Sequence, residues 1–71
     1  MPRLHSSMQI IKMLNQHGFI FISQKGSHAK YRKLVGDIVS TVIVPTPRKE
    51  IPLGTFRSIV RQSKLSIEDF D

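Results

Sequence analysis

A histidine stands inside the densest positive charge of this chain. In KGSHAKYRK, residues 25–33, His28 is flanked by Lys25, Lys30, Arg32 and Lys33, with no acid in the stretch. An imidazole takes or gives a proton near neutral pH with little tuning. Lysine and arginine beside it would hold a phosphate and steady the charge developing on its oxygens. Together these residue types suit proton transfer at a phosphodiester. The ring takes a proton from a 2′-hydroxyl or gives one to the leaving oxygen, and no metal is required. His28 is therefore the candidate catalytic residue. Lys25, Lys30 and Arg32 are the candidate phosphate binders, and Ser27 can hold a phosphate oxygen or the substrate hydroxyl. The plainer reading is a histidine that merely touches phosphate from a basic strand.

The elements around this stretch must position it. HAKYRKLV has a period of two, with His28, Lys30 and Arg32 on one side and Ala29 and Tyr31 on the other. Tyr31 is thereby read as packing and not as a base-stacking platform. Gly26–Ser27 and Gly36–Asp37 are turn signals on either side. FIFIS, residues 19–23, reads as a strand apolar on nearly both faces, and IVSTVIV, residues 38–44, as a third and most buried strand. Two short turns make these three an antiparallel meander.

SSMQIIKMLNQHG, residues 6–18, opens with a capping box of Ser6 and Gln9 and ends at Gly18. Met8, Ile11 and Leu14 give it a helical stripe, widened by Ile10. Met8 and Met13 are assigned to core or partner surface. PTPRKEIP, residues 45–52, is a stiff, exposed connector. PLGTFRSIVRQSK is a second helix with Pro52 in its first turn and Phe56, Ile59 and Val60 as its stripe. Arg57, Arg61 and Lys64 are read as its solvated face. Ser66 and Asp69 resemble a second capping box, opening a short turn with Ile67 and Phe70. The order is α-β-β-β-α. The two-layer solution stacks both helices on one sheet face and leaves His28 on the other, open face.

The chain has 71 residues, no Cys and a net charge of +6. It is expected to be one domain, residues 1–71, without disulfides or thiolate metal sites. Residues 1–67 hold all 11 cations and only two of the five acids, which points to a polyanion, nucleic acid first, or an acidic protein. No apolar run approaches the ~20 residues of a membrane span, and no signal-type apolar core opens the chain, so a cytoplasmic location is expected. His5, His17 and His28 lie far apart, and none pairs with a second ligand at a usual spacing. No metal and no cofactor is expected. His5 is placed in a loose start, and His17 as a cation at a helix C-terminus.

Three stretches carry a resemblance: the opening helix ending in HGF, then KGSHAKYRK, then VPTPRKEIPLGTFRSIVRQSKLSIEDF. In this order and spacing, over nearly the whole chain, the sequence resembles the HicA-type toxins, small mRNA interferases of toxin–antitoxin pairs. The resemblance implies a double-stranded-RNA-binding-like α+β fold, metal-independent endonucleolytic cleavage of RNA, and neutralisation by a HicB-type antitoxin. The family's catalytic histidine lies in a G-S-H motif, matched here by Gly26, Ser27 and His28. Gly54 and Thr55 match the start of the family's second helix and are read as structural. Where many members carry V-P-x-H, this chain reads VPTP, with Pro47 in the histidine's place. If that histidine assists, the activity here is lower or altered.

Three functions compete: a ribonuclease toxin using His28, a non-catalytic RNA-binding module of the same fold, and a protein module whose basic surface receives an acidic partner. The first loses cleavage on His28→Ala. The second loses binding on changes at Lys30 and Arg32. The third binds RNA weakly and a neighbouring gene's product tightly.

Overall fold

The computed structural model describes residues 4–70; the acidic Asp71 lies outside them. The elements run α1 (Ser7–Gln16), β1 (Ile20–Lys25), β2 (His28–Val35), β3 (Ile38–Pro45), α2 (Leu53–Ser63) and a 3-10 turn (Ile67–Phe70). The strands form one antiparallel sheet in the order β1-β2-β3. This is the α+β, α-β-β-β-α architecture expected of a double-stranded-RNA-binding-like fold. Both hairpins close through two-residue loops, Gly26–Ser27 and Gly36–Asp37, each with glycine at φ +59° in the first position. A positive φ there matches the right-handed twist of the strands, and glycine adopts it without a Cβ clash.

Helix α1 starts as expected. Ser6 Oγ accepts from Gln9 N–H, and Gln9 Oε1 accepts from Ser6 N–H. Its buried stripe is rotated, however. Ile10 and Leu14 are fully buried, Ile11 and Met13 half-buried, and Met8 is 72% exposed. The inward face also takes in Ser7, the first residue of the helix, which is buried. Ser7 Oγ accepts from Arg48 N–H at 2.7 Å and donates to Arg48 C=O at 3.0 Å. The proline-rich connector is thus tied to the first turn of α1, and Ile51 behind it is fully buried. Ser7→Ala leaves a shielded backbone donor unpaired, which costs about 1–3 kcal/mol. A lowered urea midpoint with unchanged slope is the expected result; an unchanged midpoint would remove this tie from the account.

One core joins both helices to one sheet face. Ile10 and Leu14 of α1 and Phe56 and Ile59 of α2 meet Ala29 and Tyr31 of β2 and Val42 and Val44 of β3. Burial raises the Tyr31 phenol above its ordinary pKa. Pro52 stands at the N-cap of α2, one residue before its first turn. The second capping box forms on one side only: Asp69 Oδ2 accepts from Ser66 N–H and from Ser66 Oγ. The Ser66 backbone bond holds the Asp69 carboxyl below its ordinary pKa.

β3 is the most buried of the three strands, as expected: Val42 and Val44 are buried, while Ile38 and Val39 are more than half exposed at the far hairpin end. Two expectations are corrected. The first strand, expected over residues 19–23 as apolar on nearly both faces, is Ile20–Lys25 and takes in the polar Ser23, Gln24 and Lys25. All six of its residues are exposed, because it is an edge strand beyond the helices' cover, and the buried Phe19 precedes it. His5 is not loose. Its Nε2 lies 2.6 Å from Phe70 C=O, and its ring stacks 4.7 Å from that of Phe56. Its carbonyl accepts from Ile51 N–H. No periodicity marks such a residue, since its partners are 46 and more positions away.

Candidate active site on the open sheet face

The register of β2 decides what surrounds His28. Residues directly opposite in an antiparallel pair share a face. His28 faces Lys25 on β1 and Pro45 on β3, Lys30 faces Ser23 and Ile43, and Arg32 faces Ile20 and Thr41. The buried Ala29 and Tyr31 point the other way, so His28, Lys30 and Arg32 share the open face as the alternation requires. Both His28 and Arg32 are exposed, and Lys30 is half-buried.

Lys25 reaches this face by a device the sequence did not reveal. The β1–β2 register slips by one residue between Phe21 and Ser23, leaving Ile22 as a bulge. Phe21 pairs with Tyr31 on the core side, so uninterrupted alternation would send Ser23 and Lys25 to that side too. The bulge reverses the phase and puts Lys25 directly across from His28. Re-aiming a side chain is a common use of bulges. Lys33, the fourth cation of the stretch, goes elsewhere. Its stem lies against Gly18, where an added Cβ would meet its Cε at 3.4 Å, and its Nζ sits 5.9 Å from the Phe19 ring centre. Gly18 has φ +91°, so it is the helix end, not the contact with Lys33, that requires glycine.

Ser27 is fixed at the backbone: its carbonyl accepts from Thr46 N–H at 2.7 Å. This bond brings the strand end carrying Pro45, Thr46 and the exposed Pro47 beside the Gly26–Ser27 loop. Position 47, where the resemblance expects a histidine, therefore lies at the same end of the sheet as His28.

The second wall comes from α2. A depression of about 290 Å³ is lined by His28, by Ile43 and Pro45 of β3, and by Thr55, Ser58 and Gln62 of α2, with the buried Ile59 beneath. Gln62 Oε1 accepts from Ile43 N–H at 3.3 Å, which docks the helix along the outer edge of β3. Arg61, read from sequence as solvated, reaches Ser58 Oγ at 3.4 Å. Helical spacing marks these residues as one face of α2; nothing in it says that this face borders His28. A larger depression, about 680 Å³, shares no residue with this one. It is mainly apolar, and its histidine, His5, is already engaged with Phe70. Among the described residues, no three His, Asp or Glu side chains gather as a metal site, and no helix is long and apolar enough to cross a membrane.

The family model described as "HicA toxin of bacterial toxin-antitoxin" matches residues 7–65. The chain belongs to the HicA toxin family. No curated protein matches it. The match covers α1 through α2, so it includes the bulge, the Gly26–Ser27–His28 turn and the α2 wall. This HicA-family chain is thus the toxin side of a toxin–antitoxin pair, and an antitoxin is its partner by kind.

Proposed function

We propose that this toxin is a metal-independent endoribonuclease, an mRNA interferase, with His28 as its general acid or base. The observation that carries the reading is the register that sets an exposed His28 between Lys25 and the α2 wall, with Lys30 and Arg32 farther along the same face. A phosphodiester lying along β2 would meet Lys30 about 7 Å from His28, two residues along the strand. Lys25, Lys30 and Arg32 neutralise its charge. Ser27 holds a phosphate oxygen or the substrate hydroxyl. The imidazole then moves the proton, either from the 2′-hydroxyl or to the leaving oxygen. The partner is a HicB-type antitoxin that covers His28 or the basic strand around it, and the chain works in the cytoplasm as a single domain.

The deciding experiment incubates the purified chain with mRNA in EDTA. Cleavage supports the reading. RNA bound but left intact replaces it with the binding module, and Pro47→His then becomes the first variant to make.

The phosphate role has its own signature. Each contact with single-stranded RNA contributes about −0.7 to the slope of log K against log salt. Lys30→Ala and Arg32→Ala should each flatten the slope by about that amount and weaken all sequences alike. An unchanged slope, measured by anisotropy across a salt series, would take that residue out of the binding face.

A further inference from the structure

We propose, building on the nuclease reading, that the depression between His28 and α2 holds one unstacked nucleoside beside the scissile phosphate, and that Gln62 reads an acceptor atom on its base. The shape comes first. About 290 Å³ is at the small end of ligand pockets, which run from ~300 to 1,000 Å³. That is room for a single nucleoside, not a folded RNA. The depression's lining mixes apolar and polar groups about evenly, Ile43 and Pro45 with Ile59 on one hand and Thr55, Ser58 and Gln62 on the other. Apolar surface against one splayed base, with polar atoms for its edge, is how single-stranded RNA is read.

The polarity of the lining follows from one hydrogen bond. The donor at Ile43 is a backbone N–H, so the Gln62 atom facing it must be the oxygen. This bond fixes the amide and leaves the two Nε2 hydrogens to a ligand. They match a carbonyl oxygen or an unprotonated ring nitrogen, and not an exocyclic amine. The hydroxyls of Thr55 and Ser58 donate or accept. Arg61, whose guanidinium donates to Ser58 Oγ at 3.4 Å, adds a cation next to this lining. Gln62 is thus a specificity-determining residue: it chooses which nucleotide sits beside His28 and takes no part in moving the proton.

Gln62→Glu isolates this role. It keeps an oxygen for Ile43 N–H, so the helix stays docked, and exchanges the two donors for an acceptor. Its added negative charge weakens all RNA alike and leaves ratios between sites untouched. Cleavage ends mapped on a random-sequence RNA should show a base preference next to the cut that falls or changes by about two- to tenfold, the worth of one net hydrogen bond. Identical base frequencies in wild type and Gln62→Glu would overturn the assignment while leaving the nuclease intact. Binding to short rA, rC, rG and rU oligomers separates the two ideas. If the wild type cleaves nothing but its rank order of oligomers changes in Gln62→Glu, the nuclease reading fails and the base-reading depression stands. An unaltered rank order removes the depression as well.

Discussion

Replacing His28 by alanine should lower RNA cleavage by about 10²- to 10⁴-fold, the usual contribution of one positioned acid or base. At 1.36 kcal/mol per tenfold, that is roughly 3–5 kcal/mol of transition-state stabilisation. The fold should not change. His28 is exposed, its strand is held by backbone pairing on both sides, and the core beneath begins at Ala29. RNA affinity should change little, because Lys25, Lys30 and Arg32 remain. Single-turnover cleavage of a defined RNA, with anisotropy for binding and a urea titration for stability, separates these effects. A variant that cleaves at the wild-type rate removes His28 from the chemistry. One that loses cleavage and binding together makes it a phosphate contact.

Phe56→Ala should be the most damaging substitution in the core. Phe56 is 4% exposed, stacks on His5 and meets Phe70 edge-on at 5.6 Å between ring centres. It therefore joins α2 to both ends of the described chain. Removing a buried phenyl ring costs about 3–5 kcal/mol. A domain of this length holds only roughly 4–11 kcal/mol in total, at about 0.05–0.15 kcal/mol per residue. With a slope near 1 kcal/mol/M in urea, the midpoint should fall by about 3–5 M or the chain should not fold. Phe56→Leu keeps most of the volume and should fold with a smaller loss. A midpoint within about 1 M of wild type for Phe56→Ala would mean that the ring cluster contributes little.

The parts of this molecule visible in its sequence are those written in local periods. The Ser6–Gln9 cap, the two glycine turns and the alternation of β2 each depend on residues within a few positions, and each is found where the pattern puts it. The open-face placement of His28, Lys30 and Arg32 follows from the same alternation. What the pattern misses lies across distance. The bulge at Ile22 has no glycine to mark it, since FIFISQK looks like an unbroken strand. The Ser7–Arg48 tie and the His5 stack join residues 41 and 51 positions apart. Gln62 looks like any solvated glutamine until β3 supplies the backbone donor that orients it.

The bare edge of β1 sets a limit on how this chain behaves by itself in concentrated solution. An edge strand offers unpaired N–H and C=O groups to any other strand. Here Ile20 and Phe21 are both more than half exposed along it, close to the uncovered Leu34 and Val35 of the neighbouring strand. The +6 charge keeps copies apart at low ionic strength. Salt shortens the reach of that repulsion to about 8 Å at 0.15 M. Colloidal stability and release from polyanions therefore pull against each other. The salt that strips nucleic acid from the protein should also let its edges meet, and light scattering across a salt series is expected to show association that grows with protein concentration.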